Sequence, residues 1–267
     1  MRDADPTAMP ERRPGRIPGL RRVHCGTHKC LTIYFQKVFK HLCRGRFGYR
    51  GSFKHFFSYS DQFYRECGDH TFSSISNHVL DFDRFEDIRA TRFVRDPRDL
   101  IVSAYYYHKR SGEGWCDIID PTDDDLSVVA GTVPTTLPVG RSVAQFLNEA
   151  SLEEGLAAEF DFRRRHFRTM LDWPDDPRVR VFRYEDILGD EVGVFDEIFR
   201  HYELPVHARL RGRYYANKFR AARRRKRTAH IRDPSKGQWR QLFTPDLKKR
   251  FNTEHSALLE KLGYPLD

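Results

Sequence analysis

Lys29 stands in the run RVHCGTHKCLTIYF, where a short β-prone stretch passes through Gly26, Thr27 and His28 into residues with helical spacing. An ammonium there meets the start of a helix, whose N–H groups and dipole favour a bound anion. Gly26, Thr27, His28, Lys29, Cys30, Leu31, Thr32 and Ile33 are therefore candidate contacts to a phosphate or sulfate, with Thr32 adding a hydroxyl. A Walker A loop is not present, because GxxxxGK[ST] is required and here Lys29 is preceded by His28 and followed by Cys30. The second constellation is FVRDPRDLIVSAYYYH, in which a strand delivers Arg95 to a turn and Ser103, eight positions on, falls on the following helix. A guanidinium fork with a hydroxyl is a receptor for a second phosphate. Two such receptors on neighbouring strand-to-helix turns point to a nucleotide phosphorylated at two places.

The elements that must hold these residues follow from periodicity. Leu31, Tyr34, Phe35, Val38, Phe39 and Leu42 recur at helical spacing after the strand RRVHC. A connection rich in Gly, Phe and Tyr follows, then strand candidates TFSSISN and RATRFVRD, the latter stopped by Asp-Pro. PRDLIVSAYYYHKR is a helix with Pro97 in its first turn. Residues 112–141 carry an acidic run, prolines and little periodicity, which predicts a long loop or lid. SVAQFLNEA is a helix capped by Ser142, and SLEEGLAAEFDFRRRHFRTMLDW reads as one further helix. RVRVFRYED is a fourth strand, EVGVFDEIFRHYEL an amphipathic helix, and TPDLKKRFNTEHSALLEKLGY a helix with Thr244 as cap and Gly263 as stop. Strands alternating with helices predict a single α/β domain over 21–267, with a central, mostly parallel sheet covered on both faces. Residues 1–20, rich in Arg and Pro, are expected to form a flexible tail.

With 39% hydrophobic and 32% charged residues the apolar supply is low, yet 21 Phe and 12 Tyr provide bulky surface for a core. The net charge of +9 draws anionic ligands without choosing among them. Five cysteines without a CxxC pair indicate neither a disulfide framework nor a metal site, and are read as thiols of a cytoplasmic protein. No stretch matches a signal peptide or a membrane span, so a soluble chain is expected.

These residues resemble the sulfotransferases that use 3'-phosphoadenosine 5'-phosphosulfate (PAPS). HKCLTIY is similar to that family's 5'-phosphosulfate loop, roughly PKSGTTW, matching at Lys29 and Thr32. Arg95 and Ser103 match its 3'-phosphate motif R-[DN]-P-[KR]-D-x-x-x-S at every stated position. RYEDI resembles its YEDL element, and IRDPSKGQWRQLFTPD its RKGxxGDWxxxFT segment, which places Arg232, Lys236 and Gly237 near the nucleotide. Leu31 stands where the family has Gly, Ile33 where it has a second Thr, and Asp233-Pro234 where it has Lys-Gly. One hydroxyl contact and some backbone freedom are thus removed.

The resemblance implies sulfuryl transfer from PAPS to a hydroxyl or amine acceptor, with 3'-phosphoadenosine 5'-phosphate (PAP) as product and no metal. It implies Lys29 on the bridging oxygen and His78, in SISNHVLDF, as base, with Asp81 and Asp83 as carboxylate alternatives. Tyr34 either stacks on adenine or belongs to the core, Tyr184 either meets the nucleotide edge or is core, and Trp239 packs beside the ligand. The acceptor is a small molecule, lipid or carbohydrate, its pocket lined by 112–141 and 45–70, and no nucleic-acid partner is expected. The basic run 209–232 is read as a loop and helix closing over the donor, or as a solvated basic helix. A nucleotide kinase would share the topology but lacks its Walker A. A non-catalytic polyanion-binding module would explain the charge but not the spacing of Arg95 and Ser103.

Overall fold

The computed structural model describes residues 15–44, 49–57, 59–110, 113–220 and 235–266. Five strands, β1 (Ile17–Gly26), β2 (Phe53–Phe56), β3 (Phe72–Ser76), β4 (Phe85–Val94) and β5 (Val179–Arg183), form one sheet in the order β2-β3-β1-β4-β5. Every pairing is parallel, with Val23 opposite Ser73 in β3 and Ala90 in β4. β1 lies between β3 and β4, so the chain leaves it at the point where the strand order reverses. In open parallel sheets that crevice, beyond the carboxyl ends, is where ligands bind.

The helices are α1 (Thr32–Leu42), α2 (Ser60–Glu66), α3 (Pro97–His108), α4 (Val143–Glu149), α5 (Leu152–Phe162), α6 (Arg164–Leu171), α7 (Tyr184–Ile187), α8 (Glu191–His201), α9 (Val206–Phe219), α10 (Trp239–Leu242) and α11 (Pro245–Leu262). Alternation along the strands sends side chains to two cores, one on each face. Val23, Cys25, Ile75, Ile88 and Ala90 meet Phe56, Phe63 and Trp173 on one face. On the other, Phe35, Phe39, Phe72, Phe93, Phe195 and Phe199 pack as an aromatic cluster from α1, β3, β4 and α8. His24 is enclosed there, stacked on Phe35 at 3.8 Å and bonded to Thr91 Oγ1 at 3.0 Å, and burial pushes it down to about 3, so the ring is neutral.

The structure departs from the sequence reading in four places. β1 begins at Ile17, inside the stretch expected as tail, because residue 17 pairs with Phe85; residues 1–14 lie outside the described residues. β2 and α2 occupy a region read as an irregular connection. The helix expected from Ser151 to Trp173 breaks at Arg163 (φ −87°, ψ 0°) into α5 and α6. Tyr184 is in the single turn α7 rather than at a strand end. The stretch 113–141 carries two short 3-10 turns and is pinned to α5 by Thr132 and Thr135, whose hydroxyls donate to the Asp161 carbonyl and carboxylate. Among the described residues no helix is long and apolar enough to cross a membrane.

Candidate functional site

β1 ends at Gly26, where a Cβ would be crowded, 3.1 Å from Ser76 Oγ and 3.3 Å from Thr32 Oγ1. Beyond it the loop is held by its own polar groups. The His28 N–H donates to Asn77 Oδ1 (2.9 Å) and the Cys30 N–H to the Thr27 carbonyl (3.0 Å). Lys29 and Leu31 both take left-handed backbone, with φ 65° and 56°. Such reversals turn successive N–H groups toward one hollow, an anion-receiving arrangement. Leu31 is also the N-cap of α1, so the hollow runs into the first helical turn, whose N–H groups have no intrahelical acceptor. The leucine that replaces the family's glycine therefore does not abolish the loop geometry; the chain carries the left-handed penalty instead, about 1–2 kcal/mol.

Lys29 Nζ lies 3.6 Å from the centroid of the Tyr107 ring of α3. Burial, then Arg163 and Arg95, push the ammonium down to about 7, with Glu113 pulling it up. Arg95 follows β4 and is 3% exposed, its guanidinium stacked 4.2 Å from the Tyr184 ring. Its Nε and Nη2 have no hydrogen-bond partner. A buried, unsatisfied guanidinium is costly and is the expected state of a site built for an anion. Ser103 lies half-buried on α3 beyond it.

The start of α3 is tied to the C-terminal segment. Asp99 accepts from the Gly237 N–H at 2.6 Å and the Trp239 N–H at 3.1 Å. Arg98 forks onto Asp96 and stacks 3.7 Å from the Trp239 ring. Glu185 accepts from the Asp96 N–H (3.1 Å) and the Tyr264 hydroxyl (2.7 Å). Gly237, with φ 77°, thus reaches the site through Asp99, whereas Lys236 is exposed and Arg232 lies outside the described residues.

Several expectations are corrected or narrowed. Tyr34 is core: its hydroxyl donates to the Ala216 carbonyl (2.7 Å) and its ring packs on Phe195, leaving no face for adenine. Tyr184 is a platform for Arg95. Cys30 is fully enclosed, its thiol pushed up to about 12 by burial and its N–H given to the Thr27 carbonyl, so it shapes the loop rather than touching a ligand. Ile33 is 43% exposed. Asp81 and Asp83 are exposed just before β4, where the Asp81 carboxylate accepts from the Asp83 N–H, and the Asp81 N–H donates to the hydroxyl of Tyr64. His78 follows Asn77 beyond β3; its ring packs edge-on to Tyr64 of α2, and burial lowers it from the ordinary histidine range.

Sequence reasoning missed a buried cluster on the other side of Lys29. His108 and Glu159 are both fully buried and paired through Nδ1 and Oε1. Arg163, 1% exposed, sits with Nε 3.9 Å from Glu159 Oε2 and donates from Nη1 to His166 Nδ1 at 3.1 Å. The His28 ring is 5.8 Å from His108, and Trp115 from the 113–141 stretch roofs His108 edge-on at 4.8 Å. A signal existed: Leu156, Phe160, Arg163, Phe167 and Met170 share one helical face. Among the described residues no group of three or more His, Cys, Asp or Glu is placed to hold a metal ion.

A family model described as sulfotransferase domain matches residues 85–263. A search of curated proteins found no relative. Among solved structures, a retinol dehydratase in complex with androsterone and inactive cofactor PAP is similar over 92% of this chain and 82% of that chain, at 12% identity and TM-score 0.52. A mouse sulfotransferase complexed with PAP is similar over 90% of this chain and 84% of that chain, at 14% identity and TM-score 0.49.

Proposed function

Because the chain belongs to the sulfotransferase family, we propose that it transfers a sulfuryl group from PAPS to an acceptor hydroxyl, with Lys29 and Arg95 holding the two ends of the donor. The observation that carries this reading is the buried Arg95 with two unpartnered N–H positions beside a left-handed, anion-receiving loop. Arg95 and Ser103 take the 3'-phosphate; Thr32 and the backbone N–H groups of 29 and 31–33 take the 5'-phosphate, the Cys30 N–H being held by the Thr27 carbonyl. The acceptor oxygen bonds to sulfur as the bridging S–O bond breaks, its electron pair remaining on the 5'-phosphate oxygen, where Lys29 stabilises the charge. His78 takes the acceptor's proton. Positioning and electrostatics supply the rate, and no step calls on a metal. The 113–141 stretch is the lid over the acceptor side. All five thiols are free and four are buried, which fits a reducing cytoplasm, a location that cell fractionation checks.

A thermal-shift titration with PAP, AMP and ATP with Mg²⁺ at fixed salt tests the reading. PAP at 100 times its dissociation constant is expected to stabilise by about 2.7 kcal/mol, with neither other nucleotide matching it. No shift with PAP, or a larger one with ATP, refutes it. His78→Ala is expected to keep the PAP shift while losing turnover.

A further inference from the structure

The half-buried Lys29 of the loop and the buried Arg95 belong to the donor motifs, and a third cation stands close to them. The third, Arg163, enters from the junction of α5 and α6, far in sequence from either motif. It is 1% exposed, and its Nε and Nη2 have no hydrogen-bond partner; its nearest carboxylate oxygen, Glu159 Oε2, is 3.9 Å away and likewise unsatisfied. Glu159 is already committed to His108 through its other oxygen, and Arg163 Nη1 to His166. An arginine cannot shed its proton, so burial with open N–H groups persists only where a ligand or network repays it.

The location separates Arg163 from the 3'-phosphate receptor. Arg95 stacks on Tyr184, at the β5 end of the sheet. Arg163 instead belongs to the cluster of His108, Glu159 and His166, and His108 faces His28 of the loop at 5.8 Å and adjoins Tyr107, the ring beneath Lys29 Nζ. The electrostatics agree, for among nearby charges Arg163 is the strongest influence depressing both Lys29 and His28.

We propose that Arg163, oriented by Glu159 and His166, is a further donor contact that holds the oxygens of the sulfuryl group itself, opposite the loop N–H groups. This rests on the PAPS reading above. A planar fork with Nε and Nη2 open matches two oxygens of a tetrahedral anion, and those contacts can follow the group as it moves from donor to acceptor. Glu159 is a positioning residue: its Oε2 faces Nε at 3.9 Å, near enough to attract the guanidinium but beyond hydrogen-bond reach, so Nε and Nη2 both stay open.

PAP lacks the sulfuryl group and PAPS carries it, so the ratio of their dissociation constants isolates the contact. Calorimetric titration of the full chain with each ligand, without acceptor, is the measurement. Arg163→Gln is expected to weaken PAPS by about 10- to 100-fold, the range for charge-assisted hydrogen bonds, while PAP changes less than threefold. Arg163→Lys keeps a cation beside Glu159 and so protects the fold if the glutamine variant fails; it is expected to lose PAPS preference as well, since one ammonium cannot present the fork. An unchanged PAPS-to-PAP ratio in folded variants overturns the assignment, as does an equal loss of both ligands, which would place Arg163 on the 5'-phosphate or in the scaffold. Wild-type protein that binds neither ligand overturns the donor reading itself.

Discussion

Lys29 makes donor binding depend on pH in a way that can be worked out in advance. Its ammonium is held down to about 7 by burial and by Arg163 and Arg95, whereas an anion placed against Nζ favours the charged form and raises the pKa. Above pH 7 the free protein must take up a proton to bind. The competent fraction falls by a factor of 1 + 10^(pH − 7), so affinity for PAP drops about 50-fold from pH 7 to pH 9, or about 2.3 kcal/mol. Phosphate monoesters are already dianionic in that interval, so the ligand contributes little of the slope. Stability of the free protein moves the other way: the unfolded lysine keeps its proton to about 10.4, so between pH 7 and 10 the unfolded state binds more protons and this group adds stability as pH rises. Calorimetry in buffers of different ionisation enthalpy should show uptake approaching one proton per PAP at pH 8.5. Lys29→Ala should bind weakly at pH 7 with a flat profile thereafter. A wild-type affinity that is constant from pH 7 to 9, with no proton uptake, refutes the electrostatic account of the site.

Leu31 and Asp99 carry the remaining predictions. Leu31→Val is expected to destabilise by roughly 1–3 kcal/mol, because a β-branched residue tolerates the left-handed region worse than leucine, while Leu31→Gly should stay near the wild-type melting temperature as relief of strain offsets lost packing. Chemical denaturation of the pair checks this, and equal behaviour would remove the strain argument. Asp99→Ala leaves the Gly237 and Trp239 N–H groups without their acceptor and is expected to cost about 2–3 kcal/mol and to weaken PAP; a change under 0.5 kcal/mol in urea unfolding would show the tie to be dispensable.

The parallel sheet and its loop-bearing turns were legible because hydrophobic periodicity and Pro97, Thr244 and Gly263 marked the element ends. Arg95 and Ser103 were legible because spacing on a strand, turn and helix is a local property. β2 escaped because four residues between irregular stretches carry too little alternation, and its pairing with β3 is set by tertiary contact. Arg163 escaped because it sits in RRRH, which reads as a solvated charge run; only its spacing from Leu156, Phe160, Phe167 and Met170 separates it from the exposed Arg164 and Arg165. Tyr34 was ambiguous because one aromatic serves a core or a ligand equally well until the position of α9 is known.

The ties from Asp99 to residues 237 and 239, and from Tyr264 through Glu185 to Asp96, also fix when the site can exist. A ribosome delivers β1, β4 and Arg95 well before the groups that anchor the start of α3. Until then Asp99 lacks its two N–H donors, and Glu185, which holds the Asp96 N–H, lacks the Tyr264 hydroxyl. A nascent chain that has not reached residue 237 carries every strand of the sheet but not the anchors of α3, so donor binding is expected only once the segment through Tyr264 has emerged and packed.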